Sequence, residues 1–450
     1  MKKSFLLFVL ISTGILFSTV SAQNRLINNI KSINLQKAQE VSQNQRPVLI
    51  DPQPLLEENF KKIGFDPASV DLKAAALRKT QTWGFNVDDK QTWKAYSYKD
   101  QTYGDVASTC RAVGSNCYIF VADNIWDEPV TQTAVDRVEQ AFDSKTPAGS
   151  VNPNQGIYQN DVDVFGSAPD VDSDPRIIIL IMDIQDSYSG PGSGWVAGFF
   201  NSINEVTDPN SSYYKYSNRS EFYYLDGKQT DLSTDSGIEL ASATTAHEFQ
   251  HMIHYAHINP ATQFINECFS VTAEVINGYP VYTQSYYVGE SNHYLLDWRQ
   301  PSDQNVLNDY SRAGRFGLYL KEQFGNQFFT KYMQLAQDGI PGINATLAAL
   351  GSGRTFDSIL PDWFSANYLL NYNTTWGYAY PGIVQMGATQ IIDPNTSKNS
   401  YVYNYAVQYI TFTQGKNLSS TSWYIQVNGL YFLYQCVCAK FCFAFLISLL

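Results

Sequence analysis

Six consecutive apolar positions run from Cys117 to Ala122, and comparable runs recur at Arg176–Ile184, Trp195–Phe200 and Glu221–Leu225 among clusters of Gly, Pro, Asn and Asp. Short apolar runs rich in β-branched residues and closed off by turn formers are the pattern of buried strands, so these four predict one sheet. Between the first two, Val135, Val138, Ala141 and Phe142 share one helical face, which predicts a packing helix over Val130–Phe142. From about Gly237 to Leu370 the spacing becomes helical, with Ile238–Ala256, Asn266–Ile276, Arg312–Phe324 and Phe356–Leu369 the clearest segments. Strands first and helices after predict an α+β domain, 81–375, in which the helix at Ile238–Ala256 packs beneath a mixed sheet and a mainly helical part follows. Beyond Trp376, Tyr, Thr, Val and Asn alternate at Tyr401–Thr413 and Trp423–Val427. That change predicts a short β-rich C-terminal region, 376–429.

The two ends read differently. Lys2 and Lys3 precede an apolar run from Phe5 to Phe17, and Val20-Ser21-Ala22 offers small residues for a signal peptidase. Residues 1–22 are therefore expected to be a cleaved export signal, and the chain to be secreted. Residues 23–80 carry nine basic and six acidic side chains, with short helices expected at Leu55–Ile63 and Val70–Arg78. A basic segment ahead of an acidic body suits a pro-segment covering an acidic cleft, and equally a linker. The stretch 430–450 is almost wholly apolar and long enough to span a bilayer, although Lys440 near its centre is costly there. It reads either as an anchor or as a truncated terminus.

Composition narrows the class. The 450 residues are 44% apolar and 16% charged, with 31 Tyr, 26 Phe and 8 Trp, which excludes a disordered chain and allows more than one domain. Lys and Arg number 30 against 42 Asp and Glu, a net charge of -12. Loss of Lys2 and Lys3 takes it to about -14. Such a surface repels phosphate backbones, so nucleic acid is not an expected partner, and a membrane is one only through the tail. Export implies an oxidising compartment, in which Cys110 and Cys117 are near enough in sequence to close a small disulfide loop. Cys268 reads as a small buried hydrophobe.

Four of the five His fall within eleven residues, at His247, His251, His254 and His257. On a helix His247 and His251 project from one face, so two imidazoles can converge on one ion. Neutral imidazole suits Zn²⁺, and Glu248, the next residue along, can reach a water polarised by that ion as general base. A catalytic zinc takes three protein ligands, and two candidates offer the third. His257 follows His251 by six residues, the spacing of the metzincin pattern, but that pattern has Gly where His254 stands, and no Met-turn sequence follows. Glu267 follows by sixteen residues, and a second helix running back beside the first would present it to the ion.

His247-Glu-Phe-Gln-His251-Met, then Asn266-Glu267-Cys-Phe-Ser270 and Ala273-Glu274, resembles the gluzincin metallopeptidases, most closely the hyicolysin-like branch. The likeness covers Cys117 to Leu370 in layout, with its specific motifs at 247–251 and 266–274. It implies a zincin fold, protein or peptide substrates, zinc on His247, His251 and Glu267, Glu248 as general base, and Glu274 orienting a ligand His. Cys268 stands where relatives usually have Gly, and Val271 where thermolysin-type members have a carboxylate. The Gly-x-Met-Glu-Asn motif of aminopeptidase-type members is missing, which favours an endopeptidase. Tyr310 resembles the clan's oxyanion-donor Tyr, just before an expected helix, with His293 a second candidate. A binding or adhesive protein on an inactive zincin scaffold is the alternative function. Asp170, Asp172 and Asp174 alternate ahead of the second strand, a pattern that can gather Ca²⁺.

Overall fold

The computed structural model describes residues 52–78, 83–190, 194–280, 286–299 and 306–370, then 377–378, 383–387, 390–392, 402–412, 422–427, 430–435 and 443–445. The expected export signal, 1–22, lies outside the described residues.

Two helices, α1 (Gln53–Ile63) and α2 (Leu72–Arg78), precede a six-stranded sheet. Its strands are β1 (Lys90–Ser97), β2 (Thr102–Val113), β3 (Cys117–Ala122), β4 (Ile177–Met182), β5 (Gly198–Phe200) and β6 (Phe222–Asp226), in the order β1-β2-β3-β4-β6-β5. The sheet is mixed: β1, β2 and β3 form an antiparallel meander, β3, β4 and β6 run parallel, and β5 closes the edge antiparallel to β6. A parallel connection needs a crossover, and α3 (Gln132–Asp143) and α4 (Ile157–Phe165) supply it between β3 and β4. Every residue of β3, β4 and β6 is buried. Covered on both faces, they read as unbroken apolar runs.

The strands β1 and β2 were not expected, because both are partly exposed and mix Lys, Gln, Thr and Asp with their inward residues. Only Trp93, Ala95 and Tyr96 of β1 turn to the core. There Trp93 meets Trp83, Phe85, Phe120 and Phe222 edge to face, at centroid distances of 5.2–5.9 Å.

The long helix α5 (Asp235–His257) begins where Thr234 accepts a hydrogen bond from Gly237 N at 3.0 Å. It lies against β5 and β6, as the order of strands and helices implies. A Cβ on Gly198 would come within 2.6 Å of Thr244 Cγ2 and 2.8 Å of Tyr224 O, so glycine permits the close approach of edge strand and helix. The chain turns and α6 (Gln263–Ile276) runs back along α5. Next α7 (Val306–Phe324) packs on α6 at Gly317, where a Cβ would lie 2.2 Å from Thr272 Oγ1. Three further helices follow, α8 (Gln327–Leu335), α9 (Gly339–Ala349) and α10 (Phe356–Leu369). The result is an α+β layout in which α5 to α10 follow the sheet, while α1 and α2 precede it and α3 and α4 cross over within it.

The N-terminal segment is bound to this body. Leu56 and Phe60 of α1 belong to the core, Phe65 packs between Phe60 and Tyr213, and Tyr255 and Asn259 both donate to Pro67 O, at 2.8 and 2.9 Å.

Beyond residue 376 the regular elements among the described residues are strands: β7 (Gln390–Ile392), β8 (Gln408–Phe412), β9 (Ser422–Val427), β10 (Leu430–Gln435) and β11 (Phe443–Phe445). They pair as β7-β8-β11 and β9-β10. The described parts of the apolar tail thus lie in β pairs, and no helix among the described residues is long and apolar enough to cross a membrane.

The expected Cys110–Cys117 disulfide is absent: both are buried free thiols. The register sets Cys110 opposite Phe120, three residues along β3 from Cys117, roughly 10 Å at strand rise. That exceeds the Cα separation of about 7 Å that a disulfide tolerates. Cys268 is fully buried, as expected of a small hydrophobe.

Because Ile179 sits at 0% exposure in the centre of β4, Ile179→Ala is expected to cost about 2–5 kcal/mol in urea denaturation. Val113→Ala, at 39% exposure on the end of β2, is expected to stay within about 0.5 kcal/mol. Equal effects would mean that the sheet does not have this inner row.

Candidate metal centre

His247 and His251, one helical turn apart on α5, turn their rings toward α6 with centroids 4.7 Å apart. Glu267 on α6 rises between them: its Oε2 is 3.1 Å from His247 Nε2 and its Oε1 is 3.5 Å from His251 Nε2. One ligand atom from each of the three lies within 4.8 Å of the others. Two imidazole nitrogens and one carboxylate oxygen at that spacing fit a single Zn²⁺.

The other side of each ring is held. Glu274 Oε1 accepts from His247 Nδ1 at 2.8 Å, and Asn266 Oδ1 accepts from His251 Nδ1 at 3.1 Å. Ser270 Oγ lies 3.0 Å from the same Nδ1 and donates to Gln250 Oε1 at 2.6 Å. With Nδ1 of each ring engaged on the far side, each imidazole turns its Nε2 toward Glu267. Glu274 follows Glu267 by seven residues, two helical turns, so one face of α6 carries both carboxylates. The sequence had given a role to Glu274 but none to Gln250, nor to Ser270 beyond its place in the motif. Only the helix pairing brings those two to His251.

Electrostatics follow from this enclosure. Burial alone would raise the Glu267 carboxyl, but the His251 and His247 imidazoles hold it down at about 2. Burial pulls His247 down, yet its bonds to Glu267 and Glu274 raise it well above the usual histidine value. Glu248 is raised by burial, an effect the two imidazoles partly oppose. Its Oε2 accepts from Phe200 N, at the edge strand β5, at 2.8 Å. The carboxylate is thereby tied to the strand that borders the site.

Tyr310 lies inside the first turns of α7 rather than before it, and its ring centroid is 6.2 Å from that of His247. Trp298 packs on it edge to face at 5.1 Å. Buried ion pairs fix this corner: Asp309 meets Arg312 at 2.9 Å and Arg299 at 3.1 Å, and Arg312 Nε donates to Leu295 O at 3.0 Å.

Other expectations are not met. His257 Nε2 faces Ser167 O at 3.0 Å from the exposed end of α5, so it is not the third member of the cluster. The cause is helical geometry: α5 continues through His257 instead of turning at position 254. His293 Nε2 lies 3.3 Å from Asp297 and is not part of the group formed by His247, His251 and Glu267. Asp174 leaves the acidic trio, because its Oδ2 accepts from Tyr118 OH at 2.9 Å. Glu221 takes its place beside Asp170 and Asp172.

One further carboxylate feels the charge of Glu267. Glu57 of α1 is raised first by its own burial, then lowered by Lys61 and raised again by the charge of Glu267. The N-terminal segment therefore brings an acid within electrostatic range of the His–Glu cluster.

No family model matches the chain. A curated protein, the neutral metalloprotease ShpI of Staphylococcus hyicus, is 25% identical over 271 residues, which cover 55% of this chain and 55% of that protein. The chain thus matches about half the length of a relative named as a metalloprotease.

His254 is the third His of the run and points away from the cluster, fully buried against Phe269, with Gln250 Nε2 3.4 Å from its Nδ1. Burial depresses it to about 3. A folded-state value below the unfolded one means that stability is complete above about pH 6.5 and is lost as pH falls toward 3. In metal-free protein, the stability of wild type relative to His254→Gln should fall by about 1.6 kcal/mol between pH 6.5 and pH 5, as read from urea denaturation. No pH dependence in that difference would show that His254 takes up its proton in the folded chain.

Proposed function

We propose that the chain is a zinc-dependent metalloendopeptidase of gluzincin type, built on a zincin fold and exported from the cell. The observation that carries this reading is the convergence of His247 Nε2, His251 Nε2 and the Glu267 carboxylate on one point, with Glu248 held next to it by β5. The named metalloprotease relative supports the same class.

His247, His251 and Glu267 would hold the zinc, whose Lewis acidity, once bound, polarises water and the peptide carbonyl. Glu274 and Asn266 orient the two rings. With Oε2 engaged by Phe200 N, Glu248 keeps Oε1 to take a proton from the attacking water and return it to the leaving amine. Burial, which raises its affinity for that proton, suits this task near neutral pH. Tyr310, near His247, donates to the oxyanion that forms on the carbonyl. A scaffold used only for binding has no need of Glu248 fixed at this position.

Residues 23–80 act, in this reading, as a pro-segment. Support comes from the bonds of Tyr255 and Asn259 to Pro67 and from the packing of Leu56 and Phe60 in the core.

The purified protein should contain one zinc per chain and hydrolyse casein. Glu248→Ala should keep the zinc and lose activity by about a thousand-fold, and Tyr310→Phe should lower kcat by about a hundred-fold. Glu267→Ala should lose zinc while His257→Ala keeps it. Proteolysis by zinc-loaded Glu248→Ala would overturn the mechanism, and zinc loss only in His257→Ala would overturn the ligand set.

Cutting the chain between Arg78 and Trp83 and removing the N-terminal piece should raise kcat/KM on a short peptide by at least about ten-fold. Full activity in the uncut chain would make the segment a structural part of the domain.

A further inference from the structure

A second acidic cluster lies outside the catalytic machinery. Asp170 and Asp172 stand in the loop before β4, and Glu221 directly precedes β6. One oxygen from each lies within 4.8 Å of the others. Asp170 is exposed, whereas Asp172 and Glu221 are 0% and 1% exposed. Each buried acid has one oxygen occupied by the backbone: Glu221 Oε1 accepts from Val171 N at 2.5 Å and Asp172 Oδ1 from Asp174 N at 2.8 Å. Asp172 Oδ2 and Glu221 Oε2 are buried with no hydrogen-bond partner.

A separate residue points the same way. Glu205, in the 3-10 turn Ser202–Glu205, is 0% exposed, and neither of its oxygens has a partner. Its charge acts on Glu221, and the two segments are joined by the bond from Ser220 N to Asn204 O at 3.0 Å. Among the described residues no ion pair forms to Asp170, Asp172, Glu205 or Glu221. Ionised carboxylates buried without opposite charge, with one or both oxygens left unbonded, are strongly disfavoured. Burial accordingly raises Asp172 to about 7 and Glu221 well above the carboxylate range.

We propose that Asp172, Glu221 and Asp170, with Glu205 behind them, form a Ca²⁺ site that joins the loop before β4 to the start of β6. The donor set decides the ion. It offers only oxygen, with no imidazole or thiolate, which favours a hard cation over zinc. The ligands come from separate segments in an irregular array open to solvent at Asp170, which suits the variable coordination of Ca²⁺ and not the strict octahedron of Mg²⁺. Bound there, the ion neutralises acids on two parallel neighbours, since β4 and β6 are hydrogen-bonded, and so stabilises the centre of the sheet.

The test uses the full chain, stripped with a chelator, resupplied with zinc and titrated with CaCl₂ while thermal unfolding is followed. Tm should rise with Ca²⁺ and saturate, and MgCl₂ at the same concentration should do much less. Glu221→Gln and Asp172→Asn should each weaken the Ca²⁺ midpoint by at least about ten-fold, and Asp174→Asn should leave it unchanged. If either variant fails to fold, Glu205→Gln, outside the three direct ligands, should still weaken the response, and calorimetry on wild type should give one Ca²⁺ per chain at this site. Glu267→Ala should respond as wild type does, which separates this site from the zinc reading. No shift up to about 10 mM Ca²⁺, or equal responses in wild type and Glu221→Gln, would overturn the proposal.

Discussion

Glu267 is a carboxylate with no access to water, and the placing of its neighbours follows from that. An ionised acid in the interior carries a desolvation penalty of several kcal/mol unless opposite charge or good donors surround it. Here the two imidazoles of α5 supply them, and Gln263 Nε2 adds a bond to Oε1 at 2.8 Å. The arrangement fixes the register of α5 on α6. A slip of one residue on either helix would turn these groups by about 100° and leave a buried charge without partners. Glu274, Asn266 and Ser270 extend the lock, since each fills the Nδ1 side of a ring whose Nε2 side is already committed.

The surrounding packing keeps that lock in place. The sheet contributes through Gly198, whose missing side chain lets β5 reach Thr244 and places Phe200 N against Glu248. The helical part contributes through Gly317, which brings α7 onto α6 and delivers Tyr310 beside His247. Behind Tyr310 the buried pairs of Asp309 with Arg299 and Arg312 tie the 295–299 loop to α7. Breaking one partner of such a pair is costly, so the aromatic corner made by Trp298 and Tyr310 is set by the fold and not by surface chance.

The elements legible in the sequence are those whose pattern reports burial directly. β3 and β4 are covered on both faces and appear as apolar runs, and α5 announces itself by four His at helical spacing. β1 and β2 carry exposed Lys, Gln and Asp, so their alternation is diluted, and α4, α8 and α9 are short. Within the site, His247, His251, Glu248 and Glu267 could be named because their spacing follows one or two helices. The parts played by Gln250, Ser270 and the backbone amide of Phe200 could not be read, since each acts through a tertiary contact. The same limit misled the reading of Asp170, Asp172 and Asp174: regular alternation suggested one ligand loop, but Asp174 is claimed by Tyr118, and the missing member, Glu221, lies almost fifty residues away in sequence on a neighbouring segment.

The two acidic clusters differ in what neutralises them. Glu267 meets nitrogen, and its carboxyl is held at about 2. Asp172 and Glu221 meet mostly other carboxylates, and burial drives their affinity for protons upward. A folded-state value raised above the unfolded one makes the acid destabilising once it must ionise, so the folded chain would lose stability as pH climbs from about 4 through 7. A divalent cation reverses that sign by favouring the ionised form in the folded state. Export to a neutral, calcium-containing medium would then turn a group of acids that weakens the sheet into one that ties its central strands together. The nitrogen-bearing centre selects a softer ion by its donors, so the two sites would not compete.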